Sequence, residues 1–72
     1  MNEIDLHGLT HNKVKEQLES ELILEYNKGN FPIRVITGNS LLMKKILISA
    51  VDKQRFKMRE DYPNSGASII YE

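Results

Sequence analysis

Apolar residues recur along this chain with a helical period in two stretches. Val14, Leu18 and Leu22 lie four residues apart, which places them on one face of an α-helix. Thr10 is a suitable N-cap and Gly29 a suitable stop signal, so the pattern predicts a helix over 10–28. A second helical stripe, in a segment starting at Leu41, consists of Leu42, Met43, Ile46, Leu47, Ala50 and Val51.

The other segments either alternate in polarity or are rich in β-branched residues, as β-strands are. The predicted strands are 4–8, 33–37, 55–60 and 67–71, with a loop over 61–66. The resulting order, β-α-β-α-β-β, predicts an α/β two-layer sandwich. We expect a four-stranded mixed sheet with two helices on one face, because right-handed crossovers place both helices on the same side.

Composition narrows the class of protein. The 72 residues contain no linker, repeat or low-complexity segment, so we expect a single domain over 1–72. The absence of Cys excludes disulfides, thiolate metal sites and a Cys nucleophile. No apolar run approaches the roughly 20 residues of a membrane span, and no signal peptide is visible. We therefore expect a cytoplasmic protein without membrane contact, present as a monomer or a weak homodimer.

Charge is unevenly distributed although the formal net charge is zero. Residues 34–59 carry seven Lys or Arg and one Asp. These cations include Lys44 and Lys45, in the first turns of the second helix, and Arg55, Lys57 and Arg59, on the outward face of the third strand. Together with Arg34 on the open sheet face they would attract a polyanion. The alternative is charge that is merely solvated or that protects an edge strand from aggregation.

Asp5 and His7 are suited to acid–base chemistry. On a strand, side chains at i and i+2 share a face about 6.6–6.8 Å apart, so the carboxylate can orient the imidazole directly or through water. Histidine titrates near neutrality, as a general acid or base in phosphodiester cleavage must. The alternative is a polar strand face without chemistry. Asp5 is the lone carboxylate nearby, so we predict no metal ligands and no cofactor. The residue types do not exclude the participation of a divalent metal ion.

The segment Thr37-Gly38-Asn39-Ser40 joins the second strand to the second helix. Backbone N–H groups at such a junction, with the helix dipole, can bind phosphate. The alternative is a plain turn in which Ser40 caps the helix. Because parallel strands end side by side, we expect His7 to meet this segment at one end of the sheet.

Two further residues receive a prediction from their positions. His11 is expected to be a surface helix residue, because it follows the predicted N-cap. Tyr62 is the aromatic residue best placed to stack on a base, because it lies beside the loop, whereas the other aromatics are expected to pack.

Four segments together resemble the Smr (small MutS-related) domain family. Ile4-Asp5-Leu6-His7-Gly8-Leu9-Thr10 resembles its LDLHG opening. Val35-Ile36-Thr37-Gly38 is similar to its TGxG motif, with Ser40 at the second glycine. Leu42-Met43-Lys44-Lys45 is similar to its leucine-lysine helix start, and residues 65–71 resemble its closing glycine-alanine strand. The resemblance covers nearly the whole chain in order.

This resemblance implies a fold like the C-terminal domain of bacterial translation initiation factor three. It also implies nucleic-acid binding and, in many members, endonuclease activity on DNA or RNA, including messenger RNA on stalled ribosomes. By residue-for-residue correspondence, Asp5 and His7 would be the catalytic pair. The predicted nucleic-acid-binding residues are Gly8, Thr37, Gly38, Asn39, Ser40, Lys44, Lys45, Arg55, Lys57 and Arg59.

We therefore predict an endonuclease that favours RNA over DNA, with the ribosome as a candidate partner. The first alternative is a non-catalytic nucleic-acid-binding module, and the second is a protein-interaction domain.

Overall fold

The helices and strands follow the predicted order in the structure, a computed structural model that describes residues 1–72. The elements are β1 (Asn2–Asp5), α1 (His11–Asn27), β2 (Ile33–Ile36), α2 (Leu41–Lys53), β3 (Lys57–Asp61) and β4 (Asn64–Tyr71). Thr10 caps α1 by accepting a hydrogen bond from the backbone N–H of Lys13. Neither helix combines the length and the apolarity needed to cross a lipid bilayer.

The four strands form one mixed sheet in the order β1-β2-β4-β3. β1 runs parallel to β2, with Ile4 opposite Val35. β4 lies antiparallel between β2 and β3. β1, β2 and β3 consequently all end where β4 begins, and we call this end of the sheet the C-terminal rim. The predicted four-stranded mixed sheet is confirmed.

One apolar core lies between the sheet and the two helices. It consists of Leu6, Val14, Leu18, Leu22, Ile33, Val35, Met43, Ile46, Leu47, Ala50, Val51 and Ile70. The stripe of α1 is buried as its spacing predicts. Leu42 is the exception in α2, since 48% of it is exposed. The shared core confirms that both helices cover the same face of the sheet.

Arg34 on the opposite, open face of the sheet is paired with two carboxylates. Its Nε donates to Oδ2 of Asp61 at 2.6 Å, and its Nη1 donates to Oε2 of Glu3 at 2.7 Å. The hydrogen bonds to Asp61 and then to Glu3 raise the pKa of the guanidinium. The sequence suggested that Arg34 is available to a polyanion, but its charge is already paired with Asp61 and Glu3.

Several strand boundaries differ from the sequence prediction, and three of the differences move predicted site residues or the predicted loop. β1 ends at Asp5, so His7 and Gly8 lie in a turn beyond it. β3 begins at Lys57, which leaves Arg55 outside the sheet. β4 begins at Asn64, so the predicted loop over 61–66 is reduced to a turn at residues 62 and 63. In each case the boundary follows from which backbone groups find a partner on the neighbouring strand.

Candidate functional site

His7 lies at the tip of a tight turn that follows β1. The side chain of Leu6 is buried in the core, and the backbone N–H of Leu9 donates to the carbonyl of Leu6 at 3.1 Å. Gly8 adopts a φ of 83°, which this turn requires and which favours glycine. The buried residue and the turn together hold the imidazole at the C-terminal rim, where it is exposed.

Asp5 contacts the backbone of His7. Oδ1 of Asp5 accepts a hydrogen bond from the backbone N–H of His7 at 2.9 Å. Such a bond between an Asp side chain and the N–H two residues later stabilises a turn. Asp5 therefore fixes the segment that carries the imidazole, whereas the sequence suggested that it orients the ring itself.

The imidazole of His7 packs against Gly38. A Cβ atom added to Gly38 would lie 3.1 Å from Cδ2 of His7, closer than side chains normally approach. The φ of Gly38 is 67°, again a conformation that favours glycine. The turns after β1 and β2 thus meet at the C-terminal rim, as their parallel arrangement predicts.

Gly66 supports Gly38 from the other side. Its carbonyl accepts hydrogen bonds from the backbone N–H groups of Thr37 and Gly38, at 2.9 and 3.0 Å. The hydroxyl of Thr37 donates to the carbonyl of Gly38 at 3.1 Å, and Thr37 is only 3% exposed. Both amides and the hydroxyl therefore have partners within the protein, and a phosphate contact through them would have to share or replace these hydrogen bonds.

Ser40 begins α2 without backbone strain. Its φ is −74°, and its Oγ accepts a hydrogen bond from the backbone N–H of Met43 at 3.1 Å. The backbone N–H groups of residues 39–42 have no acceptor within the protein. The amides at this junction that are free to donate are thus those that follow Gly38, at the positive end of the α2 dipole.

The predicted cations are spread over the molecule. Lys44 lies in the first turn of α2, whereas Lys45 lines the groove between the two helices. Arg55 lies in the turn after α2, with a φ of 61°, and Lys57 begins β3, so both are at the end of the sheet opposite His7. Arg59 lies on the open face, opposite Ile69. Among the five, Lys44 alone lies in the turn of α2 next to the candidate site.

Carboxylates line the groove on the α1 side of the turn that carries His7. The shallow groove between β1 and α1 is lined by Glu3, Ile4, Asp5, Leu6, Leu9, Glu21, Leu24 and Glu25. Four of these eight residues are acidic, and although Glu3 and Glu25 are paired with Arg34 and Lys28, the groove keeps an excess of negative charge that disfavours anions. An anion would therefore meet less repulsion at His7 from the side of α2.

Sequence reasoning missed two contributors to this arrangement. Gly66 holds the turn after β2, and Asn64 holds Gly66, because Oδ1 of Asn64 accepts from the backbone N–H of Gly66 at 3.0 Å. A glycine inside a strand often marks a close approach of two backbones, and that was the available signal for Gly66.

No cluster of three or more His, Asp or Glu side chains that could hold a metal ion is present.

Comparison with known proteins yielded no relative. Neither the protein-family models, the curated proteins nor the solved structures include a match to this chain.

Proposed function

We propose that this protein is a nucleic-acid endonuclease of the Smr type, that it prefers RNA to DNA, and that His7 is its general acid or base. The observation that carries the proposal is the contact between the exposed imidazole of His7 and Gly38, directly before the free amides of residues 39–42. This arrangement supplies a group that moves protons beside groups that bind an anion.

In the proposed RNA reaction, the imidazole of His7 removes the proton of a ribose 2′-hydroxyl. The 2′-oxygen then attacks the adjacent phosphorus, a bond forms between them, and the bond from phosphorus to the 5′-oxygen breaks. The leaving oxygen takes up a proton from the imidazolium or from water. The products are a 2′,3′-cyclic phosphate and a 5′-hydroxyl end.

Charge on the phosphate increases during this attack, and two features can stabilise it. The free amides of residues 39–42 can donate hydrogen bonds to the phosphate oxygens. Lys44, in the first turn of α2, adds a positive charge. Asp5 acts as a positioning residue, because its observed hydrogen bond is to the backbone of His7.

The first experiment compares cleavage of labelled single-stranded RNA and of branched DNA by the wild type and by His7→Ala, with and without EDTA. We expect RNA cleavage to fall by about 10²- to 10⁴-fold in the variant, the usual contribution of general acid–base catalysis. His11→Ala is the matched control, since His11 is the other histidine of the chain and lies in α1. Equal cleavage by the wild type and His7→Ala would refute the proposal.

Two additional readouts make the mechanism specific. A single 2′-deoxy nucleotide at the cleavage position blocks the reaction if the 2′-hydroxyl is the nucleophile. Activity that survives EDTA indicates metal-free chemistry, whereas activity lost in EDTA and restored by Mg²⁺ indicates a metal-assisted route. Cleavage of branched DNA alone would transfer the proposal from RNA to DNA.

A second candidate function is nucleic-acid binding without cleavage. The observation that favours it is the occupied state of the Thr37 and Gly38 amides, which leaves fewer donors for a reacting phosphate. This function predicts binding that weakens steeply with salt and no product at any enzyme concentration. Absence of binding to any nucleic acid at low salt would instead favour a protein-interaction domain.

A further inference from the structure

Tyr62 has no packing role in this molecule. Tyr62 is 88% exposed, more than any other large apolar or aromatic residue of the chain. Tyr26, Phe31 and Phe56, by contrast, pack together with ring centroids 4.7–5.5 Å apart. Aliphatic side chains such as Leu41 are also largely exposed, at 73%, but Tyr62 presents a nearly uncovered aromatic ring, which can stack on a ligand.

The ring lies at the same end of the sheet as His7. Tyr62 and Pro63 form the turn between β3 and β4, and β4 leads from this turn to Gly66, whose carbonyl binds the amides of Thr37 and Gly38. Tyr62 lies four residues before Gly66, and β4 bulges between Asn64 and Ser68, so the two residues are at most about 14 Å apart. A short oligonucleotide spans this separation.

Both flanks of this turn are fixed by side chains. Asp61, directly before Tyr62, accepts a hydrogen bond from Nε of Arg34 at 2.6 Å, and Arg34 is also paired with Glu3. On the other side, Oδ1 of Asn64 accepts from the backbone N–H of Gly66. The exposed ring therefore extends from a supported base, which reduces the entropy lost when a ligand binds to it.

We propose that Tyr62 stacks on an unpaired base of a single-stranded nucleic acid bound at the C-terminal rim. This inference rests on the proposed function and names its substrate class. An aromatic ring can stack on any base, because every base has a π-face, but the bases of a duplex are already stacked on each other. Tyr62 thus makes the site selective for single strands, with little sequence preference.

The test measures binding of a short labelled single-stranded RNA and of the corresponding duplex, in a His7→Ala background that prevents cleavage. We expect Tyr62→Ala to weaken single-strand binding by about 5- to 150-fold and to leave duplex binding unchanged. Tyr62→Phe should bind like the parent, because it keeps the ring. Ile48→Ala is the matched control, since Ile48 is also an exposed apolar residue but lies in α2.

Two more measurements locate the base. RNAs in which one base at a time is removed should lose affinity for the parent at one position, and Tyr62→Ala should not respond at that position. The chain contains no Trp, so Tyr62→Trp introduces a single fluorescent indole, which a stacked base should quench. Circular dichroism verifies that each variant is folded.

The outcomes separate this inference from the proposed function. If the wild type cleaves RNA but Tyr62→Ala binds as tightly as the parent, stacking is refuted and the endonuclease stands. If binding depends on Tyr62 but the wild type never cleaves, the endonuclease is refuted and the stacking site stands. If single strands and duplexes lose affinity equally in Tyr62→Ala, the selectivity is refuted. If no nucleic acid binds, both proposals fail.

Discussion

Replacing Gly38 by Ala tests the contact between the two turns at the C-terminal rim. The φ of 67° at this position costs a residue with a Cβ about 1–2 kcal/mol, and the less flexible unfolded chain returns about 0.4–1 kcal/mol. The net loss is about 1 kcal/mol. A domain of this length has a free energy of unfolding on the order of 4–11 kcal/mol, so the variant remains folded. Its melting temperature should fall by about 4–8 °C.

The new methyl group also displaces the imidazole, because it would lie 3.1 Å from Cδ2 of His7. Gly29→Ala is the matched control. Gly29 has a similar φ of 77°, but no atom lies within 4 Å of the position of its Cβ. The two variants should therefore lose similar stability in urea unfolding, whereas Gly38→Ala alone should shift the imidazole NMR signals of His7 and reduce cleavage.

Three results would contradict this reasoning. Unchanged imidazole signals in Gly38→Ala would show that the ring does not rest on this glycine. Equal shifts in Gly29→Ala would show that the signals report general destabilisation. Displaced signals with full cleavage would show that the position of the imidazole does not control the reaction.

Four other substitutions probe separate features of the fold and the site. Leu22→Ala removes a side chain that is 0% exposed, so urea unfolding should show a loss of about 2–5 kcal/mol. Ser40→Ala removes the cap of α2 and should cost about 1 kcal/mol in the same assay. Asp5→Asn keeps an oxygen for the N–H of His7 and should retain most of the cleavage, whereas Asp5→Ala should not. Because Asp61 and Glu3 raise the pKa of Arg34, its ion pairs persist through neutral and mildly alkaline pH and are lost on the alkaline side only above the normal arginine pKa. Arg34→Met should therefore lower the free energy of unfolding equally at about pH 6 and about pH 9, and a loss that grows between these pH values would contradict this sign.

The sequence predicted the type and order of the helices and strands better than the residues at which they begin and end. The spacing of Val14, Leu18 and Leu22 specifies a helix face, because burial of such a stripe is the main source of helix stability. The limits of β1, β3 and β4 depend instead on pairing with distant residues, which local alternation does not encode. Arg55 illustrates this limit, since it continues the alternation of β3 but lies in a turn.

The sequence predicted which segments meet at the candidate site, but it did not predict the hydrogen bonds between them. Parallel pairing of β1 and β2 is sufficient to bring His7 near Gly38. The sequence does not reveal that Asp5 binds the backbone of His7, or that Gly66 occupies the amides of Thr37 and Gly38, because these hydrogen bonds depend on the backbone conformation of the turns, which the polarity pattern does not specify. The pairing of Arg34 with Asp61 likewise crosses β4 and requires the full strand order.

β1 is an edge strand, and this position affects how the protein responds to heat. β1 pairs with β2 through four residues and has no neighbour on its other side, whereas β4 is paired on both sides. Opening of residues 2–9 therefore requires less free energy than unfolding of the domain. The amide of Leu6, bonded to the carbonyl of Ile36, should exchange with solvent faster than the amides of β4. Any activity that depends on His7 should then disappear on warming before the core of the domain melts.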